Sequence, residues 1–413
     1  MPRSLSLSAG PVSAGPLRAS GRHAAGFWLI AYAFLAAMAF STVPAPLYSL
    51  YMARDGFSTL MVTVVFAVYA VGVVISLLLA GHVSDWVGRK KVLVPGLALE
   101  LVAAALFLSA TSLPVLLIAR LITGLGVGMV TATATAHLHD LHSAGRPGAS
   151  GQRFELVSTG ANIGGLGVGA LVAGLLAQWV IGPLRTPYLV FVVLLALAIV
   201  AVALTPETVQ ERLVRPSYRP QRISMDHGDR AGYIAAAAGA FASFAVFGLF
   251  TSVAPGFVAG TLHHPSRALA GLIVFAVFGA AAAAASLTSR LPNTARRGLG
   301  LLAQATGVVV LVAGMHAANL GLFLVGGVTA GIGAGVLFKS AIGSVAAMAA
   351  PAQRGEALAG LFLIAYLGLT VPVVAIGLAT LSLAAVTVMT WFAVVLLILL
   401  AGVAVLGRRT TAG

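Results

Sequence analysis

The sequence predicts an all-α membrane protein, with twelve transmembrane helices in two six-helix bundles and both termini cytoplasmic. Three observations lead there. The chain has 413 residues, of which 60% are hydrophobic and only 8% charged. An ordinary soluble domain carries about 25% charged residues, so this chain cannot build a water-facing surface. Its apolar residues fall into twelve runs, each near the about 20 residues that a helix needs to cross a hydrocarbon core of about 30 Å. Finally, the basic residues sit in short clusters on alternate sides of those runs, as membrane topology requires.

The runs extend, in order, over Gly26–Tyr51, Leu60–Gly81, Val92–Ser109, Pro114–Leu138, Leu156–Val180, Pro187–Leu204, Gly232–Val253, Leu269–Leu287, Leu299–Ala317, Leu320–Met348, Ala357–Leu378 and Leu383–Leu406. They do not alternate polar and apolar residues, and they are too long for barrel strands. The first follows Arg3, Arg18 and Arg22 as a secretory signal would. At about 26 residues it exceeds the usual apolar core of about 7–15, so a retained helix is expected. The Ser/Gly/Pro-rich residues 1–24 are expected to form a disordered cytoplasmic tail.

Orientation follows from arginine and lysine. With the amino terminus inside, nineteen of the 24 basic residues lie on the inner side, from Arg3 through the Arg89-Lys90-Lys91 cluster to Arg409. Only Arg54, Arg185 and Arg267 lie outside, while Arg120 and Lys339 fall within spans. That asymmetry fixes the inner side and independently supports an even number of spans. The longest hydrophilic stretch between spans separates helices 6 and 7. The expected organisation is therefore an N-terminal bundle over 25–205, a basic cytoplasmic linker over 206–231, a C-terminal bundle over 232–407 and a tail over 408–413. The halves also look duplicated. Gly124-Leu-Gly126-Val-Gly128 of helix 4 matches Gly331-Ile-Gly333-Ala-Gly335 of helix 10, and the same offset carries Arg89-Lys90 onto Arg296-Arg297. Halves repeated in parallel with a site between them are a transporter architecture.

Composition excludes several classes. With no cysteine there are no disulfides, thiolate metal sites or cysteine nucleophiles. The formal charge of +14 points to topology rather than nucleic acid, because it is dispersed between apolar runs. No Gly-x-x-x-x-Gly-Lys-Ser/Thr loop occurs, which argues against direct ATP drive. No cofactor and no metal is expected. His137, His139 and His142, with Asp140, have metal-like spacing but read as an interfacial polar loop after helix 4. A channel would need a polar stripe, a sensor an attached signalling domain, and a membrane enzyme clustered His, Asp and Glu at membrane depth. None of these is evident.

The most informative segment joins helices 2 and 3: Gly81-His-Val-Ser-Asp85-Trp-Val-Gly88-Arg89-Lys90-Lys91. It resembles the gate motif of the major facilitator superfamily, which reads glycine, three residues, aspartate, a basic residue, one residue, glycine and two basic residues. Gly81, Asp85, Gly88, Arg89 and Lys90 match, and Trp86 departs from the usual basic residue. Physically this is a tight turn with glycine at the bends. Its aspartate can face the positive end of a neighbouring helix while Arg89 and Lys90 pair with it. The resemblance implies a latch on the cytoplasmic gate in the outward-facing state.

Other features fit the same resemblance. Helix 4 carries Arg120 followed by Gly124, Gly126 and Gly128. An intramembrane arginine costs of order 3 kcal/mol or more and needs a polar partner, water or a path to the interface. The family has such an arginine, linked to proton coupling or substrate charge. Gly160, Gly164 and Gly165 of helix 5 resemble the glycine-rich helix of drug–proton antiporters, without its glycine–proline pair, and equally suit close packing. Glu100 is the sole acid deep in a span. It could carry a proton or be a structural acid on a peripheral helix. Lys339 of helix 10 could line the cavity or reach back to the interface. Pro44-Ala-Pro46-Leu-Tyr48 breaks helix 1, which is tolerated where a helix lines a cavity. Pro206-Glu207-Thr208 closes helix 6. Arg153-Phe-Glu155 and Arg354-Gly-Glu356 open helices 5 and 11 and suggest paired gate contacts.

The sequence therefore predicts a monomeric multi-pass transporter of the cell membrane that is not an enzyme. It would move a small molecule by alternating access, with the lipid bilayer and protons as its other partners. Proton-coupled efflux of apolar or cationic compounds is the first reading, and proton-coupled uptake of a sugar or organic acid the second.

Overall fold

A computed structural model describes residues 21–109, 112–209, 218–222, 229–350 and 353–409. Among these residues twelve helices are long and apolar enough to cross a membrane: α1 (Gly21–Asp55), α2 (Thr59–Ala80), α3 (Lys90–Ser109), α4 (Leu113–Gly145), α5 (Gln152–Trp179), α6 (Thr186–Leu204), α7 (Arg230–Gly260), α8 (Arg267–Arg290), α9 (Asn293–His316), α10 (Leu320–Met348), α11 (Arg354–Ala379) and α12 (Ala385–Gly407). Several start on a side-chain cap, which satisfies a backbone N–H that has no partner inside its helix. Ser58 accepts from Met61 N–H at 3.3 Å, Ser266 from Leu269 at 3.2 Å and Asn319 from Leu322 at 2.9 Å.

Some limits differ from the sequence expectation. The first helix starts at Gly21, so residues 21–24 are helical, and residues 1–20 lie outside the described residues. Of the linker, 210–217 and 223–228 lie outside them too, as do 410–413 of the carboxyl tail. α4 continues to Gly145, so His137, His139 and His142 lie on its last turns rather than in a loop. Packing carries the helix on. His137 is fully buried with its Nε2 3.1 Å from the Pro206 carbonyl, and the His142 ring lies 5.9 Å from that of Phe27.

Helices α1–α6 form one bundle and α7–α12 the other, and the two glycine triplets do the same job in each. A side chain at Gly124 would strike the Tyr69 carbonyl of α2 at 2.0 Å, and one at Gly128 would meet Val73 O of α2 at 2.8 Å. The glycine between them, Gly126, faces Gly96 O of α3 at 2.7 Å. In the second bundle Gly331 and Gly335 face Val277 O and Ala281 O of α8 at 2.7 and 2.4 Å, and Gly333 faces Gln304 of α9. The outer glycines seat one neighbour and the middle glycine the other, as small residues do when helix backbones approach closely.

The bundles meet along two seams, α5 against α8 and α2 against α11. We call the end holding Arg89, Lys90 and Arg290 the basic end, and the opposite one the far end. Near the far end α1 breaks into a single 3-10 turn, Ala45–Leu47, which follows Pro44 and contains Pro46, and the missing N–H groups of these prolines cannot complete the ladder. α7 breaks into a π turn at Leu249–Val253, just before Pro255. The broken tip of α1 leans on α5 and α8, and that of α7 on α2 and α11.

Candidate functional site

Arg120 is 1% exposed within the first bundle. Its guanidinium donates to the Ser41 carbonyl at 2.7 Å and to the Tyr48 hydroxyl through both Nε and Nη2. It also lies over the rings of Tyr69 and Tyr48 at 5.3 and 5.7 Å. Among the described residues no carboxylate pairs with it. Neutral oxygens and aromatic faces hold the charge in place. Ser41 lies just before the break in α1 and Tyr48 just after it, so the one cation bridges the two sides of the break. Pro44 and Tyr48 also border a void of about 10 Å³ near the far end, room for no more than one water molecule.

The gate motif folds into one network inside the first bundle. Arg89, 8% exposed, pairs with Asp85, and it donates to Asp140 Oδ2 at 3.1 Å and to Ser84 Oγ at 2.9 Å. Lys90 does not pair with Asp85; its ammonium reaches the Ala203 carbonyl of α6 at 2.6 Å. Of the two glycines expected at bends, only Gly88 needs to be one, with φ 109, whereas Gly81 is right-handed helical with φ −57. Glu207, noticed in the sequence only as part of the ending of helix 6, caps the start of α3. Its carboxylate accepts from Arg89 N and Lys90 N, each at 3.0 Å, and from Thr208 N and Val209 N. Burial acts to raise its pKa, but the N–H groups of Lys90, Arg89, Val209 and Thr208 outweigh it and hold the carboxyl below the ordinary glutamate range.

Between the bundles, the two ends differ. At the far end a side chain at Gly174 of α5 would meet Arg267 O of α8 at 2.5 Å, one at Gly271 of α8 would meet Ala170 O at 2.4 Å, and Arg267 N–H donates to Gln178 Oε1 at 2.9 Å. On the other seam a side chain at Gly377 of α11 would meet Thr63 Oγ1 of α2 at 2.2 Å and Leu60 Cα at 3.1 Å. Toward the basic end the α5–α8 seam loosens. Gly167 still faces Phe275 Cα at 3.1 Å, whereas Gly160, Gly164 and Gly279 would meet nothing within 4 Å. There the bundles touch through side chains, Lys339 with Glu155 at 3.1 Å and Arg290 with Gln152 at 3.1 Å. The α2–α11 seam holds a cavity of about 240 Å³ at this end, between Leu77, His82 and Asp85 on one wall and Gly355, Leu358 and Phe362 on the other.

This sorts the residues expected from sequence. Asp85 and Arg89 bind each other within one bundle, and a cavity separates Asp85 from the first turns of α11. Lys339 neither stands alone in the cavity nor reaches only to the interface; its partner is Glu155 of the other bundle. Gly165 does pack, with Met38 Cβ of α1 2.9 Å from where a side chain would begin. Gly160 and Gly164 do not seat a neighbour in this way. They lie in a π turn, Gly160–Gly164, that runs alongside α1 and α8, but a side chain begun at either glycine would meet nothing within 4 Å. Glu100 is fully buried beside Gly126, and neither carboxyl oxygen has a partner among the described residues.

The Major Facilitator Superfamily profile matches residues 29–311. The multidrug resistance protein MdtL of Escherichia coli (strain K12 / DH10B) is 38% identical over 77 residues, which is 19% of this chain and 20% of that protein. The MdtL of Shigella boydii serotype 18 is similar to the same extent. The match thus spans about a fifth of these curated relatives. Among solved structures, a bacterial homologue of the human lysosomal transporter Spinster, inward-facing and unoccupied, superposes with TM-score 0.71 at 15% identity, covering 94% of this chain and 98% of that one. The human organic anion transporter MFSD10 superposes with TM-score 0.66 at 17% identity, covering 93% and 100%. At such identities these structures speak for the fold alone.

Proposed function

The chain belongs to the major facilitator superfamily and is a multi-pass membrane transporter of small molecules, and from that premise we propose that it exports apolar or cationic compounds by alternating access, driven by protons. The observation that carries alternating access is the contrast between the two ends: backbone against backbone at the far end, side-chain contacts and a cavity at the basic end. Basic loops mark the cytoplasmic side, so on this reading the structure is the inward-open state. Export of drug-like compounds is supported by the partial similarity to MdtL.

In this mechanism the bundles rock about the midplane. As the basic end closes, Asp85 approaches the first turn of α11, whose unpaired N–H groups favour a carboxylate. Arg89 holds Asp85 in position throughout, and Glu207 fixes the backbone of Arg89 and Lys90. Glu100 is the one acid deep within the spans, and so the candidate to take up a proton on one side and release it on the other. Arg120 is always charged, so its role is to hold an anion or to bias the groups around it.

Uptake of an organic acid is the second reading, favoured by the neutral partners of Arg120, which a bound carboxylate would complete. A screen of drug susceptibility in an efflux-deficient host, with counterflow in proteoliposomes, separates the two. Proton coupling is tested by Glu100→Gln, which keeps the shape of the side chain. It should abolish accumulation driven by a pH gradient, by at least about tenfold, and spare substrate exchange. Normal gradient-driven accumulation in this variant would make Glu100 structural.

A further inference from the structure

Among the described residues of the linker between the bundles, 218–222 lie against the membrane domain, and they lie at the gate. The last four carbonyls of a helix have no partner in the helix itself. At the end of α2, Gly81 N–H takes the Leu77 carbonyl and Val83 N–H takes that of Ala80. The linker takes the two between them: Gln221 N–H donates to Leu78 O at 2.8 Å, and the Tyr218 hydroxyl donates to Leu79 O at 3.1 Å. The Tyr218 ring also stacks on His82, with centroids 6.1 Å apart and planes at 21°. Three contacts therefore fasten this short segment to the end of α2, within a few residues of Asp85.

Its position relative to the second bundle gives these contacts a consequence. Gln221 forms part of the wall of the cavity that parts α2 from α11, together with His82, Asp85, Gly355 and Leu358. Its Nε2 lies 3.6 Å from where a side chain on Gly355, in the first turn of α11, would begin. Closing this seam brings that first turn toward Asp85, through the space beside Gln221. Arg219 and Arg222, both exposed, flank Gln221.

We propose that residues 218–222 are a strap that wedges the α2–α11 seam open and so sets how much of the protein rests with its basic end parted. The strap is carried by the first bundle and obstructs the second. It need not cross the membrane or touch substrate to slow closure. This inference rests on the alternating-access reading but not on the export or proton-coupling assignments.

The test uses the full-length protein in proteoliposomes. The chain has no native cysteine, so cysteines introduced at Leu77 and Leu358, on opposite walls of the cavity, can be joined by a short bismaleimide at a rate that follows the closed population. Gln221→Pro removes the N–H that holds Leu78 O, and Tyr218→Phe removes the second hydrogen bond while keeping the ring. A third variant replaces 218–222 by an equal length of glycine and serine. Each should raise the cross-linking rate, the single substitutions by about fivefold, the worth of one hydrogen bond, and the replacement by more. Wild-type rates in the replacement variant, at equal membrane abundance, would overturn the proposal, as would slower cross-linking. Counterflow by the replacement variant guards against misfolding: if it is lost, the two single substitutions decide the outcome.

Discussion

At the far end, Gly174 and Gly271 bring α5 and α8 so close that a methyl group at either would meet a carbonyl oxygen at 2.5 or 2.4 Å. At the basic end the same two bundles reach each other through a half-exposed ion pair, Lys339 with Glu155, and through Arg290 with Gln152. Backbone contact of the first kind depends on van der Waals fit and is lost almost at once on separation. Polar side chains of the second kind trade partners with water at little net cost. One end is therefore a close-fitting seal and the other a set of exchangeable contacts. A transporter built this way can open its basic end without rebuilding a core, whereas opening the far end needs the glycine seam to come apart as a unit.

The largest expected effect comes from spoiling the seal. Gly174→Leu forces a side chain into Arg267 O and Gly271, and overpacking of this kind costs about 1–3 kcal/mol. At about 1.4 kcal/mol per tenfold change, transport should fall by about tenfold or more while cysteines at the far end become accessible to impermeant reagents. Unchanged labelling and transport would show that the glycine contact is not a seal. Next comes the gate network. Asp85→Asn should slow transport by about tenfold at equal membrane abundance, the lower end of what a hydrogen bond to a charged group is worth, and shift the resting population toward the parted basic end. Wild-type rates in both Asp85→Asn and Arg89→Ala would remove the network from the gate.

Smaller still is the exchangeable contact. Lys339→Ala or Glu155→Ala should change the transport rate by about two- to fivefold, since such pairs are worth about 1 kcal/mol or less. The swap of Lys339→Glu with Glu155→Lys should recover the loss. Failure of the swap where both single variants are impaired would mean that the two residues act separately. The smallest effect concerns Glu207, which favours the folded form because its folded-state pKa lies below the unfolded one. That contribution is present above about pH 4.3, the ordinary glutamate value, and is lost as pH falls through the lowered native value. Glu207→Gln should therefore lower the melting temperature by about 2 °C or less at pH 7 and by less at pH 3. An equal shift at both values would assign Glu207 a role other than its charge.

The fold was legible in the sequence wherever a single segment carried its own signal. Twelve apolar runs, the bends at Pro44 and Pro46, the glycine triplets and the spacing from Gly81 to Lys90 are all local patterns with direct physical causes. What stayed hidden depends on partners far apart in the chain. Lys339 could be read only as a cavity or an interface residue, because nothing nearby in sequence points to Glu155. Glu207 looked like a helix ending because its four N–H partners include two from the start of α3. The π turn at Gly160–Gly164 hid behind a run of glycines that reads as packing, and α4 outran its apolar stretch because burial of His137 and His142 repays two polar turns. The strap at 218–222 lies in a basic, apolar-poor stretch with no periodicity, so only the carbonyls it caps reveal its place.

The central claim is that the two ends alternate, one opening as the other closes. Distances between spin labels, with one pair across α5 and α8 at the far end and one across α2 and α11 at the basic end, test it most directly in the Gly174→Leu background. The account expects the far-end distance to lengthen and the basic-end distance to shorten in the same sample. A far end that opens while the basic-end distance stays fixed or lengthens would contradict it.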